Sequence, residues 1–258
     1  MGMSVSAMEM AMRWMVATAA LLVTGSAALA DGSAARGGDN CCQAPTWSGV
    51  YAGFQAGGAW SDTGWTFPFV ESFNTVPGQH FSTSPSGALV GGQLGVNQQF
   101  GGILLGGELA FVGTDWHETV TSPATFPQER FKTVVSNLLT VTGRGGIPFG
   151  DQLIYGKAGY ANANVALGAF SGPPLPGVTA NGSHREDGWT AGAGWEYRIG
   201  RSLVFGVEYD YVALSGTRFT TTTGGATPGL SFNADLDDLH THMVIARLSI
   251  LLDRGPTK

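Results

Sequence analysis

The stretch from residue 189 to residue 211, WTAGAGWEYRIGRSLVFGVEYDY, decides the class of fold. In its second half the odd-numbered residues from Leu203 to Tyr211 are large and apolar or aromatic, whereas the even-numbered ones include Gly206, Glu208 and Asp210. This period of two predicts a β-strand with two different faces. The first half alternates in the same way, and only a Gly-Arg pair separates the halves. The stretch therefore predicts two neighbouring strands joined by a short turn.

The composition indicates which solvent each face meets. Only 12% of the residues are charged, against about 25% in an ordinary soluble domain, and the chain has 40 Gly, 14 Phe and 7 Trp. Aromatic residues such as Trp189, Tyr197 and Tyr209 lie near strand ends, where membrane barrels carry aromatic girdles. We therefore expect the large side chains to face lipid and the small and charged ones to face a lumen.

Eight segments have strand character, and each is long enough to cross an outer membrane, which takes about nine to eleven residues. They are about 47–60, 87–100, 103–116, 131–147, 152–168, 186–199, 202–214 and 239–252.

The connections between these segments alternate in length. The short ones are Gly101-Gly102, residues 148–151 and Gly200-Arg201, whereas the long ones, rich in Gly, Pro, Ser and Thr, are about 61–86, 117–130, 169–185 and 215–238. Alternation places the turns at one rim and the loops at the other, as in outer-membrane barrels. Unpaired backbone is not tolerated in hydrocarbon, so the first segment should pair with the last. The sequence predicts an all-β fold: an eight-stranded antiparallel transmembrane β-barrel over residues 47–252.

The chain outside the barrel divides into three predicted parts. Residues 1–30 have Arg13, an apolar stretch and a small-x-small ending at Ala30, which predicts a cleaved signal peptide; an uncleaved anchor is the alternative. Residues 31–46 predict a disordered periplasmic lead-in, and residues 253–258 a tail. Cys41 and Cys42 lack metal-site spacing, which leaves a vicinal bridge, a bond between chains or an incidental pair.

Charged residues on the predicted inner face are the candidate site. Eight strands leave an interior that side chains can fill, so we expect a buried ion-pair and hydrogen-bond network that closes the lumen. A narrow polar path for small solutes or ions is the alternative. The residues are Glu108, Arg144, Lys157, Glu196, Arg198, Glu208, Asp210 and Arg247.

Other clusters give weaker indications of chemistry. His240 and His242 point to one side of a strand and follow three acids, Asp235, Asp237 and Asp238, which predicts a solvated rim, with a surface cation site as the alternative. His80, His117 and His184 fall in loops beside acids or Ser, and adjacency in sequence does not make a catalytic triad. We expect no enzyme activity and no cofactor. The net charge of −6 argues against nucleic acid as a partner.

Several motifs, taken in order, resemble the alphaproteobacterial outer-membrane immunogenic proteins, also called small porin-like barrels. The resemblance spans residues 47–252. The matching stretches are WSGVYAG at 47–53, GGQLGVNQQF at 91–100, GGE at 106–108, TGRGG at 142–146, GWTAGAGWE at 188–196 and EYDY at 208–211.

The resemblance implies an abundant eight-stranded outer-membrane barrel with a role in envelope integrity and surface exposure. It implies outer-membrane lipid, lipopolysaccharide and the barrel-assembly machinery as partners, with host or envelope contacts through the long loops. Aromatic residues in those loops, Phe67, Phe69, Phe73, Phe170, Phe219 and Phe232, would either adhere to partners or fold the loops down. A narrow diffusion channel lined by Arg144, Glu196 and Glu208 is the alternative function.

Overall fold

The computed structural model describes residues 46–67, 77–114, 116–121, 130–170, 178–225 and 228–253, which form twelve β-strands. The strands are β1 (Gly49–Phe67), β2 (Gln79–Thr83), β3 (Ser86–Phe100), β4 (Ile103–Thr114), β5 (Trp116–Thr121), β6 (Arg130–Phe149), β7 (Gln152–Phe170), β8 (Val178–Ile199), β9 (Leu203–Leu214), β10 (Arg218–Gly225), β11 (Ser231–Leu236) and β12 (Leu239–Asp253). The predicted signal peptide, Cys41, Cys42 and most of the predicted tail lie outside the described residues. In the part of the chain that the structure describes, no helix is long and apolar enough to span a bilayer.

Eight of the strands close into a ring through antiparallel ladders. The order around the ring is β1, β3, β4, β6, β7, β8, β9 and β12. The ring closes between β12 and β1, whose ladder runs from the Gly49–Asp253 pair to the Asp62–His240 pair. The all-β antiparallel barrel predicted from the alternation is confirmed, including the pairing of the first segment with the last.

The two faces of the ring differ as the alternation predicted. In β9, Phe205, Val207 and Tyr209 are exposed on the outside, whereas Glu208 and Asp210 are buried inside. The other ring strands add to a continuous apolar belt on the outer surface, which includes Phe54, Leu94, Leu105, Leu109, Phe111, Val141, Ile154, Val244, Leu248 and Ile250. A belt of this size exposed to water would be unfavourable, and it matches the lipid-facing band of a membrane barrel.

The three tight turns lie at one rim. Gly101, Gly150 and Gly200 have φ angles of 60°, 62° and 68°, a left-handed conformation that glycine adopts without steric cost. Each follows one strand of a hairpin directly, so the chain reverses within a few residues. These turns correspond to the predicted periplasmic rim.

The prediction that the connections at the opposite rim are only long loops is wrong in part. Four further strands lie in these loops: β2 pairs with β1, β5 with β6, β10 with β8 and β11, and β11 with β1. They continue the barrel wall beyond the ring, because β1, β6, β7 and β8 extend past it with 19 to 22 residues each. We call this part the extension.

The interior of the extension is apolar. Its largest buried side chains include Trp65, Phe67, Trp116 and Phe131. Phe131 packs on Phe67 and Phe81 with ring centroids 5.2 and 5.4 Å away. The barrel therefore has two stacked interiors, a polar one within the apolar belt and an apolar one beyond it.

Candidate functional site

Seven of the eight charged residues predicted to face the lumen come together at one level of the barrel. Six ring strands supply them, and each is at most 6% exposed. They are Glu108 on β4, Arg144 on β6, Lys157 on β7, Glu196 on β8, Glu208 and Asp210 on β9, and Arg247 on β12.

Arg247 and Lys157 hold the acids of this lumenal network together. The Arg247 guanidinium forms ion pairs with both Glu108 and Glu208. The Lys157 ammonium lies 2.7 Å from Glu208 Oε1 and 2.9 Å from Asp210 Oδ2. Because these charges lie in a space from which water is largely excluded, each depends on its partners to offset the cost of desolvation.

Arg144 joins the network to two tyrosines. It donates hydrogen bonds to Tyr51 Oη and Glu196 Oε2, both at 3.0 Å, and its guanidinium lies 3.9 Å from the centre of the Tyr155 ring. Tyr51 in turn donates to Glu108 at 2.7 Å, and Tyr155 donates to Glu208. Tyr51 was not among the predicted site residues, although its place in the alternation with Gly53 and Gln55 was a signal for an inward side chain.

Lumenal glycines make room for these two rings. Tyr51 and Gly95 are cross-strand partners, and a Cβ at Gly95 would overlap the Tyr51 ring. The same relation holds between Tyr155 and Gly194. Any larger residue opposite either ring would displace it, so the glycine content of these strands is part of how the lumen is filled.

Arg198, the eighth predicted residue, lies apart from the network at the rim with the tight turns. It donates a 2.7 Å hydrogen bond to the Thr46 carbonyl, and its guanidinium stacks 4.4 Å from the Trp47 ring. Trp47 belongs to a small apolar floor with Leu104, Leu153, Val204 and Leu251. The cavity between this floor and the network, next to Tyr51, measures about 10 Å³. That is room for about one water molecule.

The predicted acid and histidine cluster at the opposite rim is dispersed. Each of four members bonds to a different partner: Asp235 to Arg218, Asp238 to the Gly216 amide, His240 to Tyr211 and His242 to Tyr209. Hydrogen bonds from Arg218 lower the pKa of Asp235. Among the described residues, no three His, Cys, Asp or Glu side chains are grouped as a metal site would require.

The loop histidines contact acids without forming an enclosed site. His80 Nδ1 lies 3.4 Å from Asp237 Oδ2, and its Nε2 lies 3.5 Å from Ser82 Oγ, with His80 and Asp237 each about half exposed. His184 Nδ1 lies 3.3 Å from Glu186 Oε1, and burial raises the pKa of that carboxyl. His117 pairs across the ladder with Val134 on the outer face of the extension.

The closed ring, the outer apolar belt and the filled polar lumen define a small outer-membrane β-barrel. The chain belongs to the outer membrane protein beta-barrel domain family, whose model matches residues 16–240. It is 31% identical over 175 residues to the 31 kDa outer-membrane immunogenic proteins of Brucella melitensis biotype 1 and Brucella suis biovar 1, a match that covers 66% of this chain and 72% of each relative. Its location is therefore the outer membrane.

A solved structure supports the fold independently of sequence. The outer membrane protease OmpT from Escherichia coli superposes with a TM-score of 0.53 at 10% identity, which covers 83% of this chain and all of that one. At this identity the likeness concerns the fold alone.

Proposed function

We propose that this outer-membrane barrel is a structural, surface-exposed component of the envelope that contributes to its integrity without conducting solutes. One observation carries the proposal: the lumen is filled at every level described. The apolar floor, the charged network and the apolar interior of the extension follow one another along the barrel. A solute path through it would need the ion pairs of Arg247 and the aromatic packing of Phe131 to open together.

Planar-bilayer recording of the purified barrel tests this proposal. We expect no conductance above the protein-free bilayer for the wild type. Arg144→Ala removes a cation between Tyr51 and Glu196 but leaves the packing of Phe131 in place, so a folded variant should not conduct either, and a heat-modifiability gel shows whether the variant folds. Steady wild-type currents that Arg144→Ala alters would establish the narrow channel instead.

The role in the envelope needs a cellular measurement. We expect a strain without the protein to become more sensitive to detergents and large antibiotics, and expression of the intact chain to restore resistance. If Arg144→Ala still folds, it should restore resistance as well, because the proposed role depends on the folded barrel and not on conduction. If deletion leaves the permeability of the envelope unchanged, the proposed role is wrong.

The proposal also excludes catalysis. OmpT is named a protease, but the shared fold does not transfer that activity. The contact between Ser82, His80 and Asp237 is open to solvent, with His80 and Asp237 each about half exposed, so it lacks the enclosed surroundings that orient a catalytic triad. Peptidase or esterase activity that disappears in His80→Ala would overturn this part.

Partners of the barrel also stay predictions. We expect lipopolysaccharide and the barrel-assembly machinery to contact the ring, and host or envelope partners to contact the extension. Phe67 and Phe219 are buried inside the extension, so these two loop aromatics stabilise it and are not available for adhesion. Phe170 stays exposed on its outer surface.

A further inference from the structure

The outer surface of the extension has one face with an unusual composition. β6, β7 and β8 pair side by side there, so their outward residues form rows across the three strands. We call these rows the upper β6–β8 face. From the ring outward the rows are Ser136–Asn164–Arg185, Val134–Ala166–Ser183, Lys132–Gly168–Asn181 and Arg130–Phe170–Thr179.

This face concentrates the positive charge of the outer surface. The described part of the chain contains nine Lys and Arg, of which four point into the lumen, one lies in a tight turn and one pairs with Asp235. The remaining three all lie on the upper β6–β8 face, where no ion pair among described residues involves them. They are Arg130, Lys132 and Arg185.

In the described part of β6, β7 and β8, the outward-facing acid closest to these rows is bonded elsewhere. Asp187 lies one row closer to the membrane, where it accepts hydrogen bonds from Tyr160 and, at 2.7 Å, from Asn162. Arg185 donates to Asn162 Oδ1 at 3.2 Å, which fixes the position of its guanidinium. In a chain with a net charge of −6, a basic face of this kind favours an anionic partner.

A groove of about 400 Å³ runs across the same rows. Gly168 and Ala166 form its floor, and a Cβ at Gly168 would meet the Phe170 ring and the Asn181 side chain. The glycine thus lets the Phe170 ring lie against the sheet, and Phe170 as a whole stays 38% exposed. The walls combine a cation, a flat apolar ring and amide and hydroxyl groups, which suits a charged saccharide.

The height of the face above the membrane selects the source of that saccharide. Trp189 and Tyr160 are cross-strand partners on the outer surface and mark the outer aromatic girdle. Arg185 and Asn181 precede Trp189 by four and eight residues on β8 and lie farther from the ring. At about 3.4 Å per residue and a tilt of about 40°, they lie roughly 10 and 20 Å above the girdle. The phosphorylated sugars of an outer-leaflet glycolipid lie directly above its acyl chains, at this level.

We propose that the upper β6–β8 face binds the phosphorylated inner-core saccharide of the lipopolysaccharide that surrounds the barrel. Lys132 and Arg185 contact phosphate, Asn181 and Ser183 bond to sugar hydroxyls, and Phe170 packs on a sugar ring. The proposal rests on the envelope role and gives it a contact: a barrel that holds neighbouring glycolipid molecules strengthens the outer leaflet laterally.

The test uses the intact barrel in detergent and measures affinity by calorimetry. The ligands are deacylated core oligosaccharide with its phosphates, the same oligosaccharide after dephosphorylation, lipid A without core, and a heparin oligosaccharide. The variants are the double change Lys132→Gln with Arg185→Gln, and Arg218→Gln as a matched control, because Arg218 is an exposed cation on β10 outside the face.

We expect the phosphorylated core to bind, and the double change to raise its Kd at least tenfold, as the loss of one or two charge-assisted hydrogen bonds implies. Dephosphorylation should have a similar effect, whereas Arg218→Gln should change the Kd less than twofold. Unchanged affinity in a double variant that remains heat-modifiable would overturn the inference. So would a preference for heparin, which would indicate a free sulfated partner, or equal binding of lipid A without core. None of these results would affect the conductance and permeability tests of the proposed function.

Discussion

The ring and the extension of this barrel face different solvents, although some of the same strands run through both. In the ring, β6 turns Leu139 and Val141 outward and Arg144 inward, whereas in the extension the same strand turns Lys132 outward and Phe131 inward. The polarity of the two faces reverses because the outer solvent changes from lipid to water. The alternation of polar and apolar residues alone therefore identifies a strand. Whether its apolar residues face outward or inward shows whether lipid or water surrounds the barrel there.

The odd-numbered residues of β6 face inward in the extension and outward in the ring because of one irregularity. Asn137 has a φ of 55° and lies unpaired between Ser136 and Leu138, whose β7 partners Asn164 and Ala163 are consecutive. It is an extra residue, a β-bulge, next to an otherwise continuous ladder. Removing it should leave every other residue of β6 on its present face.

The largest effect is expected from a deletion that changes which residues of β6 face the lumen. Deletion of Thr140, a regular ladder residue, would move one side of β6 to the wrong face and should abolish the folded, heat-modifiable barrel. Deletion of Asn137 is the matched control and should leave the barrel folded. If the two deletions behave alike on a gel of boiled and unboiled samples, Asn137 is not an extra residue that the ladder can lose.

The next largest effect concerns the polar interior of the ring. Arg247→Leu removes one of the two cations that the buried Glu108 and Glu208 share, the other being Lys157, which should lower the free energy of unfolding by about 3–5 kcal/mol. Urea unfolding followed by tryptophan fluorescence measures the change. Arg218→Leu removes an exposed arginine and should have far less effect; a comparable loss would mean that burial of the network is not what matters.

A smaller and more local effect is expected in the upper interior. Phe131→Ala removes the ring packed on Phe67 and Phe81, which should cost about 3 kcal/mol within the extension. Limited proteolysis should then cut the extension faster while the ring keeps its heat modifiability. If the ring loses its heat modifiability as well, the ring and the extension unfold as one unit.

The smallest effect concerns an exposed pair. Arg218 lowers the pKa of Asp235, so the stabilising contribution of the pair is present at neutral pH and is lost as the pH falls through the folded pKa. Arg218→Gln should raise the pKa of Asp235 toward its ordinary value, which carboxyl NMR can follow. Global stability should change little, because exposed ion pairs contribute little. If the pKa of Asp235 is unchanged in Arg218→Gln, Arg218 does not lower it.

The sequence was sufficient for the ring because its strands carry a strong contrast between faces. Glu208 and Asp210 between aromatic neighbours predict their own orientation, and so does Arg247. The extension was predicted as loops because its added strands are short, as in the six residues of β5 and of β11. Their partners are also distant in sequence: β11 pairs with β1, a relation that local pattern does not contain. For the same reason the separation of Arg198 from the network required the structure.

The pairing of Tyr51 with Gly95 also bears on how the strands find their alignment. A slip by two residues between β1 and β3 would keep every side chain on its proper face, so the polar-apolar pattern does not oppose it. It would, however, place the Tyr51 ring opposite Gln93 or Asn97, where the depression left by the missing Cβ is absent. Ring and glycine therefore favour one alignment of two strands otherwise rich in small residues, and Gly95→Ala should slow assembly of the barrel as well as weaken the finished one.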